Sequence, residues 1–413
     1  MDGKCYGLLG RKLGHSWSVP IHQALGCPDY RLIELEPDAL EAFLRRTDIG
    51  GLNVTIPYKR DVMPYCDEID AAARAIGSVN TIVRRPDGKL CAYNTDAAGF
   101  CYMARRAGIS FTGRKAVILG SGGASLTAQA CARQLGARQV VVISRSGPDN
   151  YENLSRHADA DIVVNTTPVG MYPGNGAAPV DLAAFPACGG VLDVIYNPRR
   201  TALLQQAEAL GIPCLGGLYM LAEQARCAAQ IFTGEVIPAI RTKEAYHALS
   251  RRKENRILIG MPGCGKSTVG QALAQRLDRP FVDCDQELER ILEMPVGEYI
   301  THYGEEAFRA QETALLTQLG KASGLVIATG GGCVTRPENY PHLHQNGAII
   351  FLERELSKLP KKGRPLSLRG SLQDMYTIRL PMYRRFADIT VANDGPAETV
   401  AQTVEEAYEH FSD

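Results

Sequence analysis

Short apolar runs recur along the chain, and between them apolar residues return at helical spacing. Seven of the runs read KAVILG, QVVVIS, DIVVN, GVLDVIY, RILIG, LVIATGGG and AIIFLE. They are five to eight residues long, rich in β-branched residues and bounded by Gly or polar positions; that is too short for a helix and suits a buried strand. The intervening stretches, such as LTAQACARQL and STVGQALAQRL, read as helices. This alternation predicts an α/β fold with parallel sheets covered by helices on both faces.

The pattern resets once. Arg241–Arg256 reads RTKEAYHALSRRKENR, begins helix-like and loses its apolar face at Ser250–Asn255. A new strand then starts at Ile257. A linker is expected at 248–254, dividing the chain into parts of about 245 and 160 residues, each long enough to fold. Two to three domains also suit a chain of 413 residues.

Lys plus Arg and Asp plus Glu both number 45, so the formal net charge is zero. No bulk basic field is present to hold nucleic acid or an anionic membrane, and neither is an expected partner. Any anion must be bound by local geometry. No signal peptide or membrane span is legible, and the twelve cysteines form no CxxC or Cys/His cluster. Reduced thiols in a cytoplasmic protein are expected.

Gly260–Ser267, GMPGCGKS, lies between a strand and a helical stretch and fits the phosphate-loop pattern GxxxxGK[ST]. Backbone N–H groups at Gly263, Cys264 and Gly265 can cradle phosphates, with Thr268 beyond them. Lys266 adds a point charge, and the Ser267 hydroxyl is a ligand for Mg2+. The loop alone does not separate kinase, ATPase and GTPase. Asp283 and Asp285 follow the next apolar run. On a strand, residues two apart face one side; one carboxylate can help hold magnesium and the other can accept a hydroxyl proton. Capping of the following helix explains either carboxylate equally well. Cys264, near a helix N-terminus, is either filler or a thiol open to oxidation.

Then come Gly304–Arg309, Thr329–Gly332, Gly363–Leu366 and Arg379–Tyr383. With the loop, this ordered series across 255–413 resembles the shikimate kinase family. The resemblance implies ATP as phosphoryl donor and a parallel sheet. It implies Asp283 on the magnesium side and Asp285 as substrate contact and base. Arg309 and Arg379 would grip the substrate carboxylate, Gly330, Gly331 and Gly332 would line the ring, and Arg364 would be the lid arginine over ATP. A lid is expected near 356–370. The segment LSKLPKKG departs from the family in lacking its earlier arginine near the adenine.

In the first part, Gly120-Ser121-Gly122-Gly123-Ala124 follows KAVIL and opens a helix, as a dinucleotide loop would. QVVVIS ends at Ser144 and Arg145, where an enzyme using NAD would carry an acid; an arginine with hydroxyls suits a 2′-phosphate, hence NADP. Around this unit lie HSWS at 15–18, NVTIPYK at 53–59, GSVNT at 77–81 and NTDAAG at 94–99. After it come NTTPVGM at 165–171, DVIYNP at 193–198 and GGLYML at 216–221. The series resembles the shikimate dehydrogenase family over residues 3 to about 247. It implies a two-part enzyme: a Rossmann-like NADP domain at 99–219 and a substrate domain at 1–98 plus 220–247. Lys59 and Asp96 would be the catalytic pair, with the proton donor open between them. Ser16 and Ser18 would bind the substrate carboxylate, or form only a local turn. Thr55, Asn80, Tyr196 and Gln224 would line the ring. Asn165, Thr166, Thr167, Met171 and Gly217 would flank the cofactor. Together the resemblances imply reduction of 3-dehydroshikimate followed by phosphorylation of shikimate. The alternatives are a quinate-type dehydrogenase with a broader kinase, which Arg145 argues against; a binding protein with decayed sites, against which Lys59, Asp96, Lys266 and Asp285 are all present; and a nucleotide switch, for which no NKxD motif is found.

Overall fold

The computed structural model describes residues 3–14, 16–359 and 372–412. The chain divides into two compact units, Met1–Ala248 and Leu249–Asp413.

The first unit carries two sheets. Cys5–Gly10 (β1), Arg31–Glu34 (β2), Ile49–Val54 (β3), Glu68–Ile69 (β4), Thr81–Arg84 (β5) and Leu90–Tyr93 (β6) form one, in the order β2-β1-β3-β5-β6-β4. It is mixed: β1 is parallel to β2 and β3, whereas β5 runs antiparallel to β3 and β6. This departs from the parallel sheet expected of the alternation. Only a short turn, Arg85–Lys89, joins β5 to β6, with Gly88 at φ +85°. So short a link closes a hairpin and cannot make a crossover.

Lys115–Leu119 (β7), Gln139–Ile143 (β8), Ile162–Asn165 (β9), Val191–Asp193 (β10) and Cys214–Gly216 (β11) form the second sheet, all parallel, in the order β11-β10-β9-β7-β8. From β7 the chain moves outward to β8 and then returns to β9 on the other side. That reversal opens a crevice at the carboxyl ends of β7 and β9, where an open α/β sheet binds ligands.

In the second unit Asn255–Ile259 (β12), Phe281–Asp283 (β13), Val326–Ala328 (β14), Gly347–Glu353 (β15) and Ile389–Ala392 (β16) form a parallel sheet in the order β13-β14-β12-β15-β16. β12, β14 and most of β15 are fully buried, and their Ile, Leu, Val and Phe side chains form the centre of one core.

The stretch expected as a linker, 248–254, is largely the end of the helix Ile240–Lys253. Its Arg and Lys residues are good helix formers, and a helix satisfies its own backbone without an apolar face. Among the described residues no helix is long and apolar enough to cross a membrane. None of the twelve cysteines is in a disulfide.

Candidate active sites

In the first unit Lys59 stands on the loop after β3, and Asp96 opens the helix Asp96–Arg106. Lys59 Nζ meets Asp96 Oδ2 at 2.5 Å, with 17% and 10% of the two side chains exposed. A pair this enclosed is held more firmly than a surface ion pair and fixes Nζ in one place. Nearby, Asn80 Oδ1 accepts from the Thr95 backbone N–H at 2.7 Å, and Nδ2 donates to Thr95 Oγ1 at 3.1 Å and Gln224 Oε1 at 3.4 Å. Thr81 and Thr95 hydroxyls join at 2.9 Å. Asn80 and Gln224 are therefore locked together. Thr81 and Thr95 hold Asn80 in place and were not singled out in the sequence; the position of Thr95 directly before Asp96 was the available signal.

Ser16 Oγ and Ser18 Oγ lie 3.1 Å apart, and the Ser18 N–H donates to Ser16 Oγ at 3.2 Å. The local turn allowed by the sequence is thus present together with the hydroxyl pair. The Tyr196 ring packs on Trp17, the residue between the two serines, at 5.3 Å. Thr55 sits just past β3, its methyl close to Gly10. His15 lies outside the described residues.

Gly120, at φ +105°, turns the chain out of β7, and the helix Gly123–Gln134 begins three residues later. This loop reaches the catalytic candidates: a Cβ on Gly123 would stand 3.4 Å from Lys59 Cδ. Thr166 Oγ1 donates to Leu119 O at 2.6 Å, tying the ends of β7 and β9 together. Ser144 follows β8; Arg145 beside it is exposed. Met171 is also exposed on the loop after β9, and Gly217 precedes the helix Leu218–Thr233. Beneath this rim is Asp193, fully buried. Its carboxylate accepts from Asn165 Nδ2 at 3.1 Å, Ile195 N at 3.0 Å and Thr201 Oγ1 at 2.7 Å. Asn165 Oδ1 in turn accepts from Thr167 N and Oγ1. Burial raises the Asp193 pKa to about 6, against the pull of these donors.

In the second unit a cavity of about 1320 Å³ is lined by Gly263, Gly265, Lys266, Ser267 and Thr268 on one wall and by Arg309, Gly330, Gly331, Gly332 and Arg379 elsewhere. Lys266 Nζ donates to Gly260 O at 2.9 Å and Met261 O at 3.1 Å. Ser267 Oγ donates to Asp283 Oδ2 at 2.5 Å. Asp283 ends β13, and its other oxygen accepts from the N–H groups of Asp285 and Gln286. The capping role weighed in the sequence is real for Asp283. Asp285 does not share a strand face with Asp283 as expected: it is in the first turn of the helix Cys284–Leu292. It still lines the cavity, because the helix opens there. Cys264 is wholly buried, which removes the exposure that an oxidation-sensitive thiol needs.

Arg309 is buried, and its Nη1 meets Glu312 Oε2 at 2.6 Å. A side chain on Gly332 would overlap the Arg309 guanidinium, so only glycine admits this approach. Arg379 Nη1 and Tyr383 OH both donate to Gly331 O, at 3.0 and 2.5 Å. Asp285 Oδ1 and Glu312 Oε1 converge on Gly330. Glu312 was not anticipated, although a glutamate one turn after Arg309 was a readable sign. Burial pushes its carboxyl pKa up, with Arg309 pulling the other way, and Oε1 has no hydrogen-bond partner among the described residues. Arg364 and most of the expected lid lie outside the described residues. Among the described residues no three His, Cys, Asp or Glu side chains gather into a metal site. The Ser267–Asp283 oxygen pair is instead the kind of sparse, hard donor set that suits Mg2+ shared with phosphates.

Fold and site together define an α/β protein of two nucleotide-binding units, one with a Lys–Asp pair beside a dinucleotide crevice and one with a phosphate loop facing two arginines. Residues 8–82 match the family model described as shikimate dehydrogenase substrate binding domain, and residues 262–409 match that of shikimate kinase. A shikimate dehydrogenase (NADP(+)) of Symbiobacterium thermophilum is 34% identical over 264 residues, covering 56% of this chain and 90% of the relative. The crystal structure of a chorismate mutase/shikimate 5-dehydrogenase fusion protein from Clostridium acetobutylicum aligns with TM-score 0.57 and 34% identity, over 60% of this chain and 98% of that one. That of shikimate 5-dehydrogenase from Thermus thermophilus, in complex with NADP(H) and shikimate, aligns with TM-score 0.53 and 30% identity, over 59% and 98%. The chain belongs to the shikimate dehydrogenase family and carries, in its second unit, a domain of the shikimate kinase family. It is an enzyme of the shikimate pathway with two activities.

Proposed function

We propose that the first unit reduces 3-dehydroshikimate to shikimate with NADPH and that the second transfers phosphate from ATP to the shikimate 3-hydroxyl. The supporting observation is the meeting of Lys59 with Asp96 beside the Gly120–Ala124 loop. Reducing a ketone needs a hydride over the carbonyl face, which NADPH supplies when bound, and a proton at its oxygen. In this reading the Lys59–Asp96 pair delivers that proton. Ser16 and Ser18 bind the substrate carboxylate, and Thr55, Asn80, Tyr196 and Gln224 orient the ring. Gly120–Ala124 cradle the pyrophosphate, Ser144 and Arg145 take the 2′-phosphate, and Asn165–Thr167, Met171 and Gly217 flank the nicotinamide end. Residues 1–98 with 220–247 act as the substrate domain, and 99–219 as the NADP domain.

In the kinase unit Asp285 accepts the hydroxyl proton, and Arg309 and Arg379 hold the carboxylate with forked hydrogen bonds. Gly330–Gly332 let the ring lie close. Gly263–Thr268 cradle the ATP phosphates, Lys266 and Arg364 balance charge on the transferred group, and Ser267 with Asp283 hold Mg2+. Both substrates are small soluble acids, in keeping with an enzyme that works in the cytoplasm.

Purified protein supplied with shikimate is expected to reduce NADP+ and, separately, to consume ATP with Mg2+. NADP+ reduction without shikimate-dependent ATP consumption would refute the kinase half. Faster turnover of quinate than of shikimate would refute the substrate.

A further inference from the structure

Arg354 directly follows Glu353, the last residue of β15, and lines the same cavity as the phosphate loop. A Cβ placed on Gly265 would stand 3.7 Å from Arg354 Nη1, so the guanidinium lies against the loop backbone. Its Nε is closed off from solvent and has no hydrogen-bond partner among the described residues. Two glutamates flank it in sequence, yet each turns to another cation. Glu353 Oε1 lies 3.5 Å from Arg384 Nη2, and Glu355 Oε2 lies 3.5 Å from Lys358 Nζ. Lys358, the other cation on this wall, is held by Asp394 at 2.8 Å. Among the described residues Arg354 therefore makes no ion pair, although carboxylates are close in sequence. A guanidinium edge kept dry and unpaired is costly unless an acceptor completes it.

Gly265 lies at φ +99° and precedes the helix Lys266–Leu277, so backbone N–H groups also converge here. A forked cation beside such groups matches a phosphate oxygen better than a planar base or a neutral sugar. We infer that Arg354 is a phosphate-binding residue of the nucleotide site, contacting the phosphate chain of a nucleoside di- or triphosphate over Gly265. The inference rests on reading the second unit as an ATP-dependent kinase, and it names a contact outside the phosphate loop.

The test is calorimetric titration of the full chain with ADP and with inorganic tripolyphosphate, in Mg2+ and without any acceptor alcohol. Arg354→Met is expected to weaken both about tenfold, the scale of one lost charge-assisted bond, and Arg354→Lys to weaken both by less. An unchanged far-UV spectrum and dehydrogenase rate control for folding; if Arg354→Met does not fold, Arg354→Lys alone is read for a loss on both ligands. Equal tripolyphosphate affinity in wild type and variant would overturn the inference, whatever happens to ADP. If wild type binds both ligands but phosphorylates a different alcohol, the shikimate assignment fails while this contact stands.

Discussion

Taken singly, Lys59 reads as a solvated lysine and Asp96 as a helix cap; contact between them across 37 positions supports the proposal that they act as a catalytic pair. Residue identity alone shows donors and acceptors but not which are already used. Asn80 illustrates this, since much of its hydrogen-bonding capacity is taken by Thr95, Thr81 and Gln224. It fixes its neighbours as much as it leaves bonds for a ligand. His22 makes the same point for stability. Its ring is buried and stacks on Tyr30 at 4.0 Å, and neither nitrogen has a hydrogen-bond partner among the described residues. Burial lowers its pKa from 6.5 to about 3. A lowered folded-state pKa means stability that is present above about 6.5 and is lost as pH falls toward 3. Between pH 6.5 and 5 the loss should approach about 2 kcal/mol. His22→Phe keeps the stack and removes the titration. Urea unfolding of the variant should show a shallower acid slope over that window; equal slopes would contradict the role of His22.

At the scale of elements, all seven short apolar runs became strands or parts of strands, because a buried parallel strand must be apolar on both faces. The strands of the first sheet were less legible. β4 is only two residues long, and β3 carries Gly50 and Gly51 where β-branched residues would have marked it. Asp283 and Asp285 came together by a strand end and a helix start, a boundary that periodicity places poorly. The link between β9 and β10 is a further case. Asp193 joins Asn165, Ile195 and Thr201 through one carboxylate, so it holds the loop carrying Tyr196 against the end of β9. Its folded pKa is raised from 3.8 to about 6. A raised pKa contributes stability that is fully present below about 3.8 and is lost as pH rises through 6. Asp193→Asn lacks this term. The stability of wild type minus that of the variant should therefore shrink by at most about 3 kcal/mol as pH rises from 4 to 6. A difference that grows over this range would reverse the assignment.

For the whole molecule, the reset of apolar pattern near residue 250 was legible, and the division between the units falls at Ala248 and Leu249. What the sequence could not give was the conformation there, since charged residues serve a helix and a coil equally well. Each unit has its own parallel sheet and its own glycine turn after a strand, so loss of one proposed chemistry need not disturb the other. The central claim is that one chain performs both steps with separate side chains. It is tested most directly by assaying wild type, Lys59→Ala and Asp285→Asn for shikimate-dependent NADP+ reduction and for shikimate-dependent ADP release. Lys59→Ala should lower the first by about a hundredfold or more and leave the second within about twofold, and Asp285→Asn should do the reverse. Loss of both activities from either substitution in a folded protein, or loss of neither, would contradict the account.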